Sequence, residues 1–153
     1  MPIAPSTFYP ASTTDHALPS FTGFSWNSNV TSIQNAINTR TANPMMGGTN
    51  LSAGLDMAVA QFSGANSRPL SNKVVILLTD GQWNDGRDPL LAAADARAAG
   101  ITVHVVSMLT STQAVLQQVA STTGGHYYAT QNEAELRNAF QELARTLPIV
   151  LVD

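Results

Sequence analysis

The feature that most constrains this chain is the run Lys73-Val74-Val75-Ile76-Leu77-Leu78-Thr79, in which five consecutive side chains are apolar and three of those are β-branched. It lacks the alternation of a half-solvated strand, and it is far shorter than the ~20 residues a membrane helix needs. A strand that is apolar at every position has both faces covered, which points to a parallel sheet with helices on either side. The downstream sequence has the punctuation such a sheet requires. Asp88 followed by Pro89 gives a helix cap and a first-turn proline, and Gly100 closes that helix, with Leu90, Leu91, Ala94 and Ala98 as its expected apolar stripe. A second strand is expected over residues 101–108 and a helix over 111–123, with Val115, Leu116 and Val119 facing inward. Gly124-Gly125 then turns the chain into a short strand over residues 126–129. Asn132 with Glu135 three residues on forms a capping box, and the helix it opens carries Leu136, Phe140, Leu143 and Leu147. Pro148 stops that helix, and residues 149–152 read as a last strand. Strands alternating with helices imply right-handed crossovers, hence an α/β, three-layer αβα, Rossmann-like and mostly parallel sheet.

The earlier part is less regular. Thr49 or Asn50 can cap a helix with Leu51, Leu55, Ala58, Val59 and Phe62 on one face, and residues 63–72 read as a loop. The first 48 residues are rich in Ser, Thr, Asn and Pro, with one amphipathic stretch in which Val30, Ile33 and Ile37 follow the cap Ser28. The whole of 1–153 is expected to form a single domain, irregular over 1–48 and built of βα units over 49–153. Its 44% hydrophobic and 11% charged residues suit a globular fold, and a net charge of -3 with scattered basic residues argues against a nucleic-acid footprint. Without cysteine the chain has no disulfides, thiolate nucleophiles or zinc-thiolate sites.

Three segments together resemble the von Willebrand factor A family. Gly47-Gly48-Thr49-Asn50-Leu51, leading into Gly54-Leu55, resembles the family's second metal-site loop and the helix after it. Val74-Val75-Ile76-Leu77-Leu78-Thr79-Asp80-Gly81 resembles the strand and Thr-Asp-Gly turn of the third loop. Gly100-Ile101-Thr102-Val103-His104-Val105-Val106 and Thr123-Gly124-Gly125-His126-Tyr127-Tyr128 resemble the later strands. The ending Leu143-Ala144-Arg145-Thr146-Leu147-Pro148-Ile149-Val150-Leu151-Val152 is most similar to bacterial pilus-assembly proteins of the tight-adherence type, which implies a cell-envelope or extracytoplasmic setting.

The resemblance implies a non-enzymatic protein-binding, adhesion or assembly module with a site for Mg²⁺ or Mn²⁺ on loops at the carboxyl end of the sheet. Thr49 is its hydroxyl ligand and Asp80 its carboxylate, and the partner is a protein that presents a carboxylate. The family's first loop, Asp-x-Ser-x-Ser, does not occur in this sequence, so the metal site is expected to be partial. The first strand would precede Met1, and its omission would expose an edge that favours a homo-oligomer. Asn50, Gln82, Trp83, Asn84 and Asp85 are the candidate partner-binding residues, with Trp83 as an aromatic anchor or a cover residue. Thr49 reads equally as a plain helix cap, Asp80 as a turn carboxylate, and His104 as a hydrogen-bonded sheet histidine. No Gly-x-Ser-x-Gly elbow, Walker loop or Gly-x-Gly-x-x-Gly turn is present, and a metal-assisted hydrolase using Asp80 is the alternative reading.

Overall fold

The computed structural model describes residues 49–63, 70, 72–80, 82–108 and 113–147, together with the helical positions 31, 34, 35, 38 and 42. Those five positions are exposed. Val30, Ile33 and Ile37, like Pro148 and residues 149–152, lie outside the described residues. The chain divides into two compact units, Met1–Ser71 with Trp83–Asp88, and Asn72–Gln82 with Pro89–Asp153.

The first unit contains helix α1 (Leu51–Ser63), whose Leu51, Ser52 and Leu55 are buried. The second unit runs β1 (Lys73–Thr79), α2 (Pro89–Ala98), β2 (Ile101–Met108), α3 (Ala114–Thr123), β3 (Tyr127–Thr130) and α4 (Glu133–Thr146). Its three strands are parallel in the order β1-β2-β3, with Thr79 opposite Ser107 and Val105 opposite Tyr127. Both crossovers step in the same direction across the sheet, so right-handedness puts α2 and α3 on one face. The Tyr127 hydroxyl, on that face, accepts from the Gln113 N–H at the head of α3 at 3.2 Å. The opposite face carries α4, where Ala139 and Leu143 pack with Val106, Tyr128 and Leu136. Helix, sheet and helix make the three layers within this unit alone.

The core runs along β2, where Val103, Val105 and Val106 are fully buried. β1 is less covered than its composition predicts. Ile76 and Leu78 are 38% and 45% exposed, and both point to the face that α4 covers only over β2 and β3. Among the described residues β1 is therefore the outer strand, and β2 is the one enclosed from both faces.

One helix rotates away from the stripe its large residues suggest. α2 buries Pro89, Ala92, Ala93 and Ala96, while Leu91 is 57% exposed and Ala94 and Ala98 face solvent. Alanines leave room for close approach to β2 and α3, which a leucine face would hold apart. α4 buries Leu143 of its expected stripe together with Ala139, and Leu136 packs against them, while Phe140 turns outward into an apolar groove of ≈ 430 Å³ beside Leu136 and Ala144. α3 begins at Ala114, with Leu116, Val119 and Ala120 buried and Val115 half-buried. It ends in a left-handed cap at Gly124, where the Gly124 and Gly125 N–H groups donate to the Ser121 and Ala120 carbonyls. Gly125 lies so close to the Val103 carbonyl oxygen that a Cβ there would overlap it. The Thr123 hydroxyl adds a tie, accepting from the Val103 N–H at 2.9 Å. Asn132 caps α4 as expected, accepting the Glu135 N–H on Oδ1 at 3.0 Å, while the Glu135 carboxylate reaches back to the Gln131 N–H at 2.7 Å and the Asn132 Nδ2 at 3.1 Å rather than to the Asn132 backbone.

Candidate functional site

Asn50, rather than Thr49, caps α1. Its Oδ1 accepts from the Ala53 N–H at 3.0 Å and from the Ser52 hydroxyl at 2.9 Å, so one oxygen satisfies a helix donor and a buried hydroxyl. That leaves the Thr49 backbone to hold the segment Trp83–Asp88, which belongs to the same unit. The Thr49 carbonyl accepts from the Asn84 and Asp85 N–H groups at 3.2 and 3.3 Å. The Thr49 N–H donates to Asn84 Oδ1 at 2.7 Å, and Asn50 Nδ2 makes a longer contact of 3.5 Å with Asp85 Oδ2.

Within the segment, the Trp83 indole N–H donates to the Asp85 carbonyl at 2.7 Å, and the ring is half-buried. Gly86 follows at φ 77, in the left-handed region, with its α-carbon against the Asn50 carboxamide, which a Cβ would overlap. Arg87 then reaches both carboxylate oxygens of Asp56 on α1, Nε to Oδ2 at 3.0 Å. The groups of this ion pair are 39% and 44% exposed, so it orients the guanidinium more than it stabilises the fold. Between the segment and α1 an open groove of ≈ 470 Å³ is lined by Asn50, Asp56, Met57, Ala60, Gly86 and Arg87.

Of the residues singled out in the sequence, the structure brings together Thr49, Asn50, Trp83, Asn84 and Asp85. Asp80 and Gln82 belong to the second unit, exposed just past the carboxyl end of β1. Asp56, Gly86 and Arg87 were not candidates. The Asp85-Gly86 dipeptide is the one local signal that could have drawn Gly86 in, since it favours a positive-φ turn. The Arg87–Asp56 pair spans 31 residues and leaves no local trace.

The site offers hydrogen-bonding groups and one oriented guanidinium. Among the described residues no three His, Cys, Asp or Glu side chains gather as a metal cluster. A hard divalent cation takes about six oxygen ligands. Thr49 and Asp80 supply two by resemblance, while Asn84 Oδ1 and Asp85 Oδ2 already accept from Thr49 and Asn50. Among the described residues, these donors alone fall short of the shell that a Mg²⁺ or Mn²⁺ takes.

The von Willebrand factor type A domain pattern matches residues 15–142. No curated protein matches the chain. Among solved structures, the conserved hypothetical protein BatB from Bacteroides thetaiotaomicron is similar with a TM-score of 0.57 at 17% identity, over 74% of this chain and 68% of that one. An uncharacterized membrane spanning protein from Vibrio fischeri aligns over 75% of this chain and 67% of that one, with a TM-score of 0.49 and 22% identity. The BatB likeness bears on the fold, and it agrees with the three-layer arrangement described above.

Proposed function

Because this chain belongs to the von Willebrand factor type A domain family, we propose that it is a non-enzymatic protein-binding module whose recognition surface is the Trp83–Asp88 segment seated on the head of α1. The observation that carries this reading is how the segment is held. Thr49 and Asn50 fasten it through both backbone and side chains, and Trp83 braces it from within. Little ordering entropy then remains to be lost when a partner binds. Gln82, Asn84, Gly86, Arg87 and Asp88 are exposed. Thr49 and Asp80 remain the residues through which a divalent cation would touch this chain, and no cluster of further carboxylates joins them among the described residues. The partner's carboxylate therefore meets Arg87 instead, in metal-independent recognition. The finer setting, an assembly protein of the bacterial cell envelope or pilus, rests on the resemblance of residues 143–152.

Site-specific photocrosslinking in extracts of the source cells tests the reading. A crosslinker replacing exposed Gln82 should give adducts that Arg87→Ala suppresses and Mg²⁺ does not change. The same group at exposed Arg97 on α2 should give none. Equal labelling at both positions would count against the surface. Mg²⁺-dependent phosphomonoester hydrolysis lost in Asp80→Ala would replace the reading with the hydrolase one. We also propose a homo-oligomer through β1. No described strand pairs with its outer side, and Ile76 and Leu78 stand exposed on it.

A further inference from the structure

We propose that His104 and His126 form an acid-released latch, which holds the junction between α3 and β3 against β2 at neutral pH and frees it when His104 takes up a proton. His104 lies on β2, 6% exposed, and its Nδ1 accepts the His126 backbone N–H at 3.0 Å. The His126 carbonyl accepts the Val105 N–H at 2.9 Å. Both backbone groups of His126 are thus tied to β2, one of them to a side chain. The β2–β3 ladder begins with Val105 opposite Tyr127, so the imidazole supplies a rung ahead of the first backbone pair. Gly125, pressed on the Val103 carbonyl, cannot move further toward β2 to make up for a lost bond.

An Nδ1 that accepts a hydrogen bond carries no proton, so neutral His104 holds its hydrogen on Nε2. Protonation would set two N–H groups against each other across 3.0 Å. The His126 ring makes this worse, since it stacks on His104 with centroids 5.5 Å apart and planes 13° apart. Among the described groups around the pair, the carboxylate of Glu142 exerts its influence on Tyr128, and the charge that acts on His104 is that of His126. On β3, Tyr128 lies 6.4 Å from the His126 ring, and on α4 Glu142 acts on Tyr128, raising a pKa already raised by burial. On β1 the register partner of His104 is Ile76.

Burial first, and the charge of His126 second, hold the His104 pKa below its ordinary 6.5. The sign follows from linkage. A group whose pKa is depressed in the closed state favours closure above its open-state value. That contribution fades as pH falls from there through the closed-state pKa.

Hydrogen exchange of the His126 amide, corrected for the intrinsic rate and followed by NMR from about pH 8 to about pH 4.5, tests this directly. Above about pH 6.5 the opening constant should be flat, and below it the constant should rise by up to about tenfold per pH unit. In His104→Asn, where Oδ1 can keep the acceptor without titrating, opening should not depend on pH. Imidazole ¹⁵N shifts of the unaltered chain at about pH 8 should show His104 protonated on Nε2, a readout that requires no variant. A flat wild-type profile, an equal slope in His104→Asn, or a hydrogen on Nδ1 would each overturn the latch.

Discussion

Gly86 and Gly100 offer a matched pair for measuring how tightly the recognition segment is fitted. Both hold left-handed backbone, at φ 77 and φ 71, so replacement by alanine costs each about 1–2 kcal/mol from the conformation alone. Their surroundings differ. A Cβ on Gly100 would meet nothing within 4 Å, whereas one on Gly86 would overlap the Asn50 carboxamide. Relieving that overlap moves Asn50 off the α1 cap, a loss of about 1 kcal/mol. It also strands the Ser52 hydroxyl, 2% exposed, which adds about 1–3 kcal/mol. Gly86→Ala should therefore cost about 2–4 kcal/mol more than Gly100→Ala. With a urea slope of about 1–3 kcal/mol/M, the extra shift of the midpoint is on the order of 1 M or more. Urea titration by tryptophan fluorescence is the assay, because Trp83 is bonded within the segment itself. The mechanism makes a sharper demand in a double-mutant cycle. In an Asn50→Ala background the overlap is gone, and Gly86→Ala should fall back to the cost of Gly100→Ala. Equal costs for the two glycines in the unaltered chain, or strict additivity of Gly86→Ala with Asn50→Ala, would refute the fitted contact.

Thr123→Val should destabilise the second unit by about 1–3 kcal/mol, since it removes the hydroxyl that accepts the Val103 N–H, while Thr123→Ser should cost well under half as much; chemical denaturation followed by far-UV circular dichroism checks both. Ile76→Lys, placing a charge at the centre of the outer strand, should shift sedimentation or light scattering toward the monomer and leave the fold intact, and an unchanged mass would remove the oligomer from the proposed function. Millimolar Mg²⁺ should move the melting temperature no more in the unaltered chain than in Asp80→Ala, and a shift confined to the unaltered chain would restore a resident cation.

Much of the second unit was legible in the sequence because its signals are local. A continuous β-branched run, a proline after an aspartate, a glycine pair, and Asn132 three residues before Glu135 each act within a turn or a strand. β1, β2 and α4 accordingly lie where those signals put them. Less legible was which side of each helix faces inward. Large residues suggested Leu91 and Phe140, yet α2 buries Ala92, Ala93 and Ala96 and α4 buries Ala139 beside the expected Leu143, because the buried side of a helix is a property of the packed pair. The coverage of β1 belongs to the same class. Its composition calls for two covered faces, but coverage depends on which elements lie over it, and Ile76 and Leu78 stay exposed.

At the recognition segment the division is similar. Sequence alone placed Asn50 among the helix caps and grouped Thr49 with the segment after β1 by resemblance. Tertiary structure decided that one carboxamide both caps α1 and bars a side chain at residue 86, and that Arg87 bonds Asp56 rather than standing in solvent. Local preferences are set by neighbouring atoms along the chain and can be read in order. Contacts across 31 or 35 residues exist only once folding has fixed the distance between groups that the sequence holds apart.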